Sequence, residues 1–90
     1  MKGKEVTLTH EFHDFIPDEL KDGVLYISDK YAVAIHKCPC GCGYEVVTPT
    51  KPGGWNLIVG EETVSLSPSI ATKLDCKSHY WITKNKVIWA

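Results

Sequence analysis

Four cysteines and two histidines gather in two short stretches, His36-Lys37-Cys38-Pro39-Cys40-Gly41-Cys42-Gly43 and Cys76-Lys77-Ser78-His79. Thiolates and imidazoles are the ligands zinc prefers, and many zinc sites clamp together two such clusters from distant parts of a chain. The spacing is Cys-x-Cys-x-Cys rather than the commoner Cys-x-x-Cys. Sulfurs on one tetrahedral zinc, with bonds of about 2.3 Å, lie a little under ~4 Å apart, whereas same-face residues of a strand are nearly ~7 Å apart. The first cluster therefore cannot bind while extended. Pro39, Gly41 and Gly43 supply the chemistry to curl it into a knuckle.

Six residues compete for three or four places. Cys76 and His79 have a separation that can bring both to one ion, and the downstream half must contribute to a clamp that crosses the chain. Upstream, Cys40 and Cys42 come first, then Cys38, then His36. Two chemistries follow from the number of ligands. With four, the zinc simply holds the central loop to the end of the chain. With three, a bound water drops its pKa towards about 7 and hydroxide becomes available for hydrolysis. That second chemistry needs a base, for which Glu45, three residues after Cys42, and His36 are the candidates.

Other chemistries find less support. A dithiol redox centre uses Cys-x-x-Cys opening a helix, and neither is present. Ser65-Leu66-Ser67-Pro68-Ser69-Ile70 is rich in hydroxyls, but it lacks a Gly-x-Ser-x-Gly context and reads as a turn. Trp55, Trp81 and Trp89 with the four tyrosines have the pattern of core aromatics in strands, and His10 and His13 read as surface groups.

The elements that must position the cysteines are strands. Alternation from Val6 through Phe12 to Ile16 predicts an opening strand ended by Pro17, and residues 17–23 predict a helical turn or tight loop. Val24–Ile27 and Tyr31–His36 predict the next two strands, the second leading into the cysteine loop. Tyr44–Thr48, Trp55–Val59 and Thr63–Leu66 predict three more, and His79–Thr83 with Val87–Trp89 predict a terminal hairpin turning through Lys84-Asn85-Lys86. The expected fold is mostly β: a small antiparallel meander or sandwich-like domain with a zinc-binding Cys-rich loop, spanning residues 1–90 as one domain.

At this length a core gives limited stability, so a metal staple matters. Ten Lys+Arg against eleven Asp+Glu, scattered singly, offer no basic stripe for nucleic acid. No apolar run approaches the ~18 residues of a membrane span or forms a signal sequence, which predicts a cytoplasmic protein that binds no membrane.

Gly-Val-Leu-Tyr-Ile-Ser at 23–28, His-x-Cys-Pro-Cys-Gly-Cys-Gly at 36–43, Ser-Leu-Ser-Pro-Ser-Ile at 65–70 and Cys-Lys-Ser-His-Tyr-Trp-Ile at 76–82 together resemble one family. It is the small Cys/His-rich domain of bacterial ubiquitination-like operons, found beside a ubiquitin-like protein and its activating and conjugating enzymes. The resemblance implies a zinc-dependent peptidase that cleaves at the C-terminus of the ubiquitin-like partner. Cys38, Cys40, Cys42, Cys76 and His79 would form its metal group, and Glu45 or His36 would move protons. The competing expectation is a non-enzymatic zinc-stapled module that binds the ubiquitin-like protein or its conjugation enzymes.

Overall fold

The computed structural model describes residues 5–72 and 76–90. Nine strands occur among them: β1 (Val6–Thr7), β2 (Thr9–Phe12), β3 (Val24–Ser28), β4 (Val33–Lys37), β5 (Glu45–Pro49), β6 (Asn56–Val59), β7 (Val64–Ala71), β8 (His79–Thr83) and β9 (Lys86–Trp89). They form two sheets, one of five strands in the order β1-β9-β8-β7-β6 and one of four in the order β2-β3-β4-β5. The expected mostly β, sandwich-like class is what the chain adopts. No helix long and apolar enough to cross a membrane occurs among the described residues.

The predicted opening strand is divided at Leu8. Val6 and Thr7 pair with β9 of one sheet, while Thr9 to Phe12 run parallel to β3 of the other. A parallel pair needs a crossover rather than a hairpin. Residues 13–23 provide it as a loop without helix, and Ile16 and Leu20 pack with Val24, Tyr26 and Ile35 over the outer face of the second sheet. That cover explains why every residue of β3 is buried.

The main core lies between the sheets. Leu25, Ile27, Ala34 and Val46 from one meet Val64, Leu66, Ile70, Tyr80, Ile82 and Val87 from the other, with Leu8 and Cys38 in the same cluster. Burial alternates along β8, where Tyr80 and Ile82 point inward and His79 and Trp81 outward, as a half-buried strand requires.

The crossing at Leu8 is held by the β8–β9 turn. Lys84 and Asn85 both have positive φ, the conformation of a two-residue hairpin turn that favours Asn. The buried Asn85 side chain accepts from the Val64 N–H at 2.7 Å and donates to the Leu8 carbonyl at 3.0 Å, with His10 Nδ1 2.9 Å away. Asn85→Ala leaves a buried donor and a buried acceptor unpaired and places a Cβ-bearing residue without this network at positive φ. It is expected to cost about 3 kcal/mol, read as a shift of the urea midpoint.

Candidate functional site

The β4–β5 hairpin of the four-stranded sheet and the β7–β8 connection of the five-stranded sheet meet at one end of the sandwich, and the four cysteines lie where they meet. The first hairpin curls as its glycines foretell. The Cys38 N–H reaches the Tyr44 carbonyl at 2.8 Å, the Gly41 N–H reaches the Cys38 carbonyl at 3.1 Å, and Gly41 and Gly43 have φ of +91° and +87°. An L side chain at either position meets strain even though the space is open. The second connection is fixed by Thr72, whose N–H donates to the Ser78 carbonyl at 2.9 Å and whose hydroxyl accepts from the Ser78 N–H at 3.0 Å.

The sulfurs of Cys38, Cys40, Cys42 and Cys76 all lie within 4.8 Å of one another. Separations are 3.3 Å for Cys38–Cys40, 3.7 Å for Cys38–Cys76 and 3.8 Å for Cys42–Cys76. A tetrahedron with metal–sulfur bonds of about 2.3 Å has edges of about 3.8 Å, so the donor set fits one ion closely. None of the four cysteines is in a disulfide. The hydroxyl of buried Ser78 lies 3.4 Å from Cys76 Sγ and helps to pull that thiol down to about 6, whereas burial pushes Cys38 up to about 12. A thiol as reluctant as Cys38 ionises when a cation takes its charge.

His79, expected on the ion, is not among the mutually close metal-ligand atoms. It belongs to the outward face of β8, and its Nε2 lies 2.9 Å from Ser69 Oγ. The pair exists because β7 is irregular. Leu66 pairs with Ile82 and Ile70 with Tyr80, so Ser67, Pro68 and Ser69 together lie opposite Trp81 alone. Such bulges re-aim side chains, and proline within a sheet collects at them. Beyond the bulge Ala71 pairs with His79, which leaves Ser69 beside the imidazole. Trp81 stacks on the same ring, its centroid 5.6 Å away at an interplanar angle of 29°. The segment read as a simple turn thus carries a half-buried serine that faces an exposed histidine of β8 at hydrogen-bonding distance, a geometry in which a hydroxyl can pass its proton to an imidazole. Pro68, interrupting the alternation of apolar residues and serines from Val64 to Ile70, is the sequence signal for the bulge.

The two expected bases stand elsewhere. Glu45 is exposed at the start of β5, opposite Lys37 of β4. His36 is fully enclosed, its Nε2 2.7 Å from the Tyr80 hydroxyl, and burial pushes its pKa down to about 4. A neutral ring sealed in the core has no path to a substrate, and its Nδ1 has no hydrogen-bond partner among the described residues. Tyr80→Phe removes the partner of the other nitrogen, so an expected loss of about 1–3 kcal/mol should appear in the unfolding free energy.

The sequence matches the family described as "Bacterial ubiquitination-like system serine protease (BubE)" over residues 12–90. No curated protein matches, and no solved structure does.

Proposed function

We propose, because the chain belongs to the BubE family of bacterial ubiquitination-like system serine proteases, that it is a serine peptidase with Ser69 as nucleophile and His79 as general base. The observation that carries this reading is the 2.9 Å contact between His79 Nε2 and Ser69 Oγ. With the hydroxyl donating to Nε2, the imidazole takes the proton as Oγ attacks a carbonyl carbon. It then returns that proton to the departing amine, leaving an acyl-enzyme that water hydrolyses with His79 again as base. Trp81 limits the rotation of the ring.

In this reading Cys38, Cys40, Cys42 and Cys76 hold zinc as a structural ion. Four sulfurs fill a tetrahedral site, so the metal supplies folding energy and joins the two sheets. That joining positions the reacting pair, because Cys76 lies three residues from His79 and is tethered to Thr72, next to the end of β7. The zinc expected from the sequence is kept, and the hydrolytic role expected of it passes to the serine. The proposed substrate is the system's ubiquitin-like protein, cut at its C-terminus, either to mature it or to release it from a conjugate.

The test is one of turnover. Zinc-loaded protein is mixed with the ubiquitin-like protein bearing a short C-terminal extension. Release of the extension, stopped by a serine-directed fluorophosphonate, is expected. Intact substrate in the presence of folded, zinc-loaded protein would contradict the proposal and favour a non-enzymatic binding module.

A further inference from the structure

A narrow groove of about 190 Å³ lies between β5 and the end of β7, lined by Glu45 and Val47 of β5, by Trp55, and by Ile70, Ala71 and Thr72. Ile70 and Ala71 follow Ser69 directly along β7, so the groove borders the stretch of main chain that carries the serine. Both walls are free strand edges. β5 is the last strand of its sheet, and β6 pairs with β7 only from Val64 to Ser67.

The hydrogen-bond alternation of an antiparallel ladder fixes which main-chain groups face this groove. Thr72 donates to Ser78 beside the Ala71–His79 pair, which turns the N–H and C=O of Ala71 away from β8. On β5, Cys38 donates to Tyr44 and Thr50 donates to Ala32, so the N–H and C=O of Val47 point away from β4. The same alternation turns the Pro49 carbonyl outward, where it accepts from the Trp55 N–H at 2.8 Å. The indole N–H of Trp55 is itself buried and without a partner among the described residues, a state that costs free energy until an acceptor arrives.

We propose that this groove holds the substrate residues immediately before the bond that Ser69 attacks, as an extended strand added between Val47 and Ala71 with the Trp55 indole donating to one of its carbonyls. The proposal rests on the reading of Ser69 and His79 as the reacting pair. The occupant is peptide because the exposed groups are those of strand edges, which recognise main chain. Its side chains there are small, because the volume falls below the ~300 Å³ at which pockets for larger ligands begin, and none is acidic, because the Glu45 carboxylate joins the apolar side chains in the lining.

Val47→Pro tests the main-chain contact, since it removes an N–H that no strand of the protein uses, and edge strands tolerate proline at such positions. Pro49 already occupies the equivalent place one alternation further along. Trp55→Phe tests the indole while keeping a ring in the packing. The substrate is the ubiquitin-like protein with a fluorescent C-terminal extension, and zinc content and thermal unfolding report folding. For Val47→Pro, KM is expected to rise about tenfold or more with kcat within about threefold, and for Trp55→Phe KM is expected to rise about three- to tenfold. An unchanged KM in Trp55→Phe overturns the proposal, as does a Val47→Pro effect confined to sedimentation, which would assign the edge to a second copy of the chain. Wild-type protein is labelled in parallel with a small fluorophosphonate. Ser69 labelled with KM unchanged rejects the groove alone, whereas Ser69 unlabelled rejects the reacting pair on which it rests.

Discussion

Ser69→Ala is expected to lower kcat for hydrolysis of the ubiquitin-like fusion by about 10⁴-fold or more, because removing the nucleophile ends the covalent route rather than weakening it. Its effect on folding should be small. The side chain is half-buried, and the hydrogen bond of its hydroxyl to exposed His79 is worth no more than about 1 kcal/mol. His79→Ala should fall nearly as far, and the double variant no further than Ser69→Ala alone, since residues acting as one unit are not additive. The readout is single-turnover release of the C-terminal extension. Hydrolysis that survived Ser69→Ala and stopped with Glu45→Gln would move the chemistry to the metal and to the base that the sequence suggested.

The second large effect concerns the metal. A structural zinc held by cysteines contributes about 10–16 kcal/mol in peptides at neutral pH, while a domain has about 5–15 kcal/mol of stability in total. Chelation is therefore expected to unfold this protein rather than merely to inactivate it. The sharpest single change is Cys38→Ser, because Cys38 is both a member of the sulfur cluster and part of the main core. Loss of the near-ultraviolet signal from buried Tyr80 and of zinc together, restored on adding zinc to the chelated wild type, is the expected result. An apo-protein with native spectra and full Ser69 reactivity would remove the ion from the structural account.

The strands were legible because they are short alternating or continuous runs bounded by glycine, proline and acidic turns, and most boundaries fall within a residue or two of their expected places. What stayed hidden is long-range. Nothing local to residues 6–12 says that the chain changes sheets at Leu8; the change depends on Asn85 in a turn more than seventy residues away. The cysteine clamp could be read because ligand chemistry and spacing are local, and the geometric need for a curl between Cys38 and Cys42 could be calculated from bond lengths. The roles of the histidines could not. His36 lies in the core because β4 faces Tyr80, and His79 faces outward because of its parity on β8. Both facts belong to sheet register, which a one-residue slip would reverse. Ser69 was hidden for a related reason: Pro68 marks a break in β7, but only the pairing with β8 reveals that the break delivers a hydroxyl to an imidazole.

The most direct test of the reacting pair is peptide mapping of zinc-loaded protein after brief exposure to a small fluorophosphonate. A single adduct on Ser69, absent in His79→Ala, is the predicted result. An adduct on another serine, or none while the protein remains folded and zinc-loaded, would contradict the assignment of Ser69 and His79.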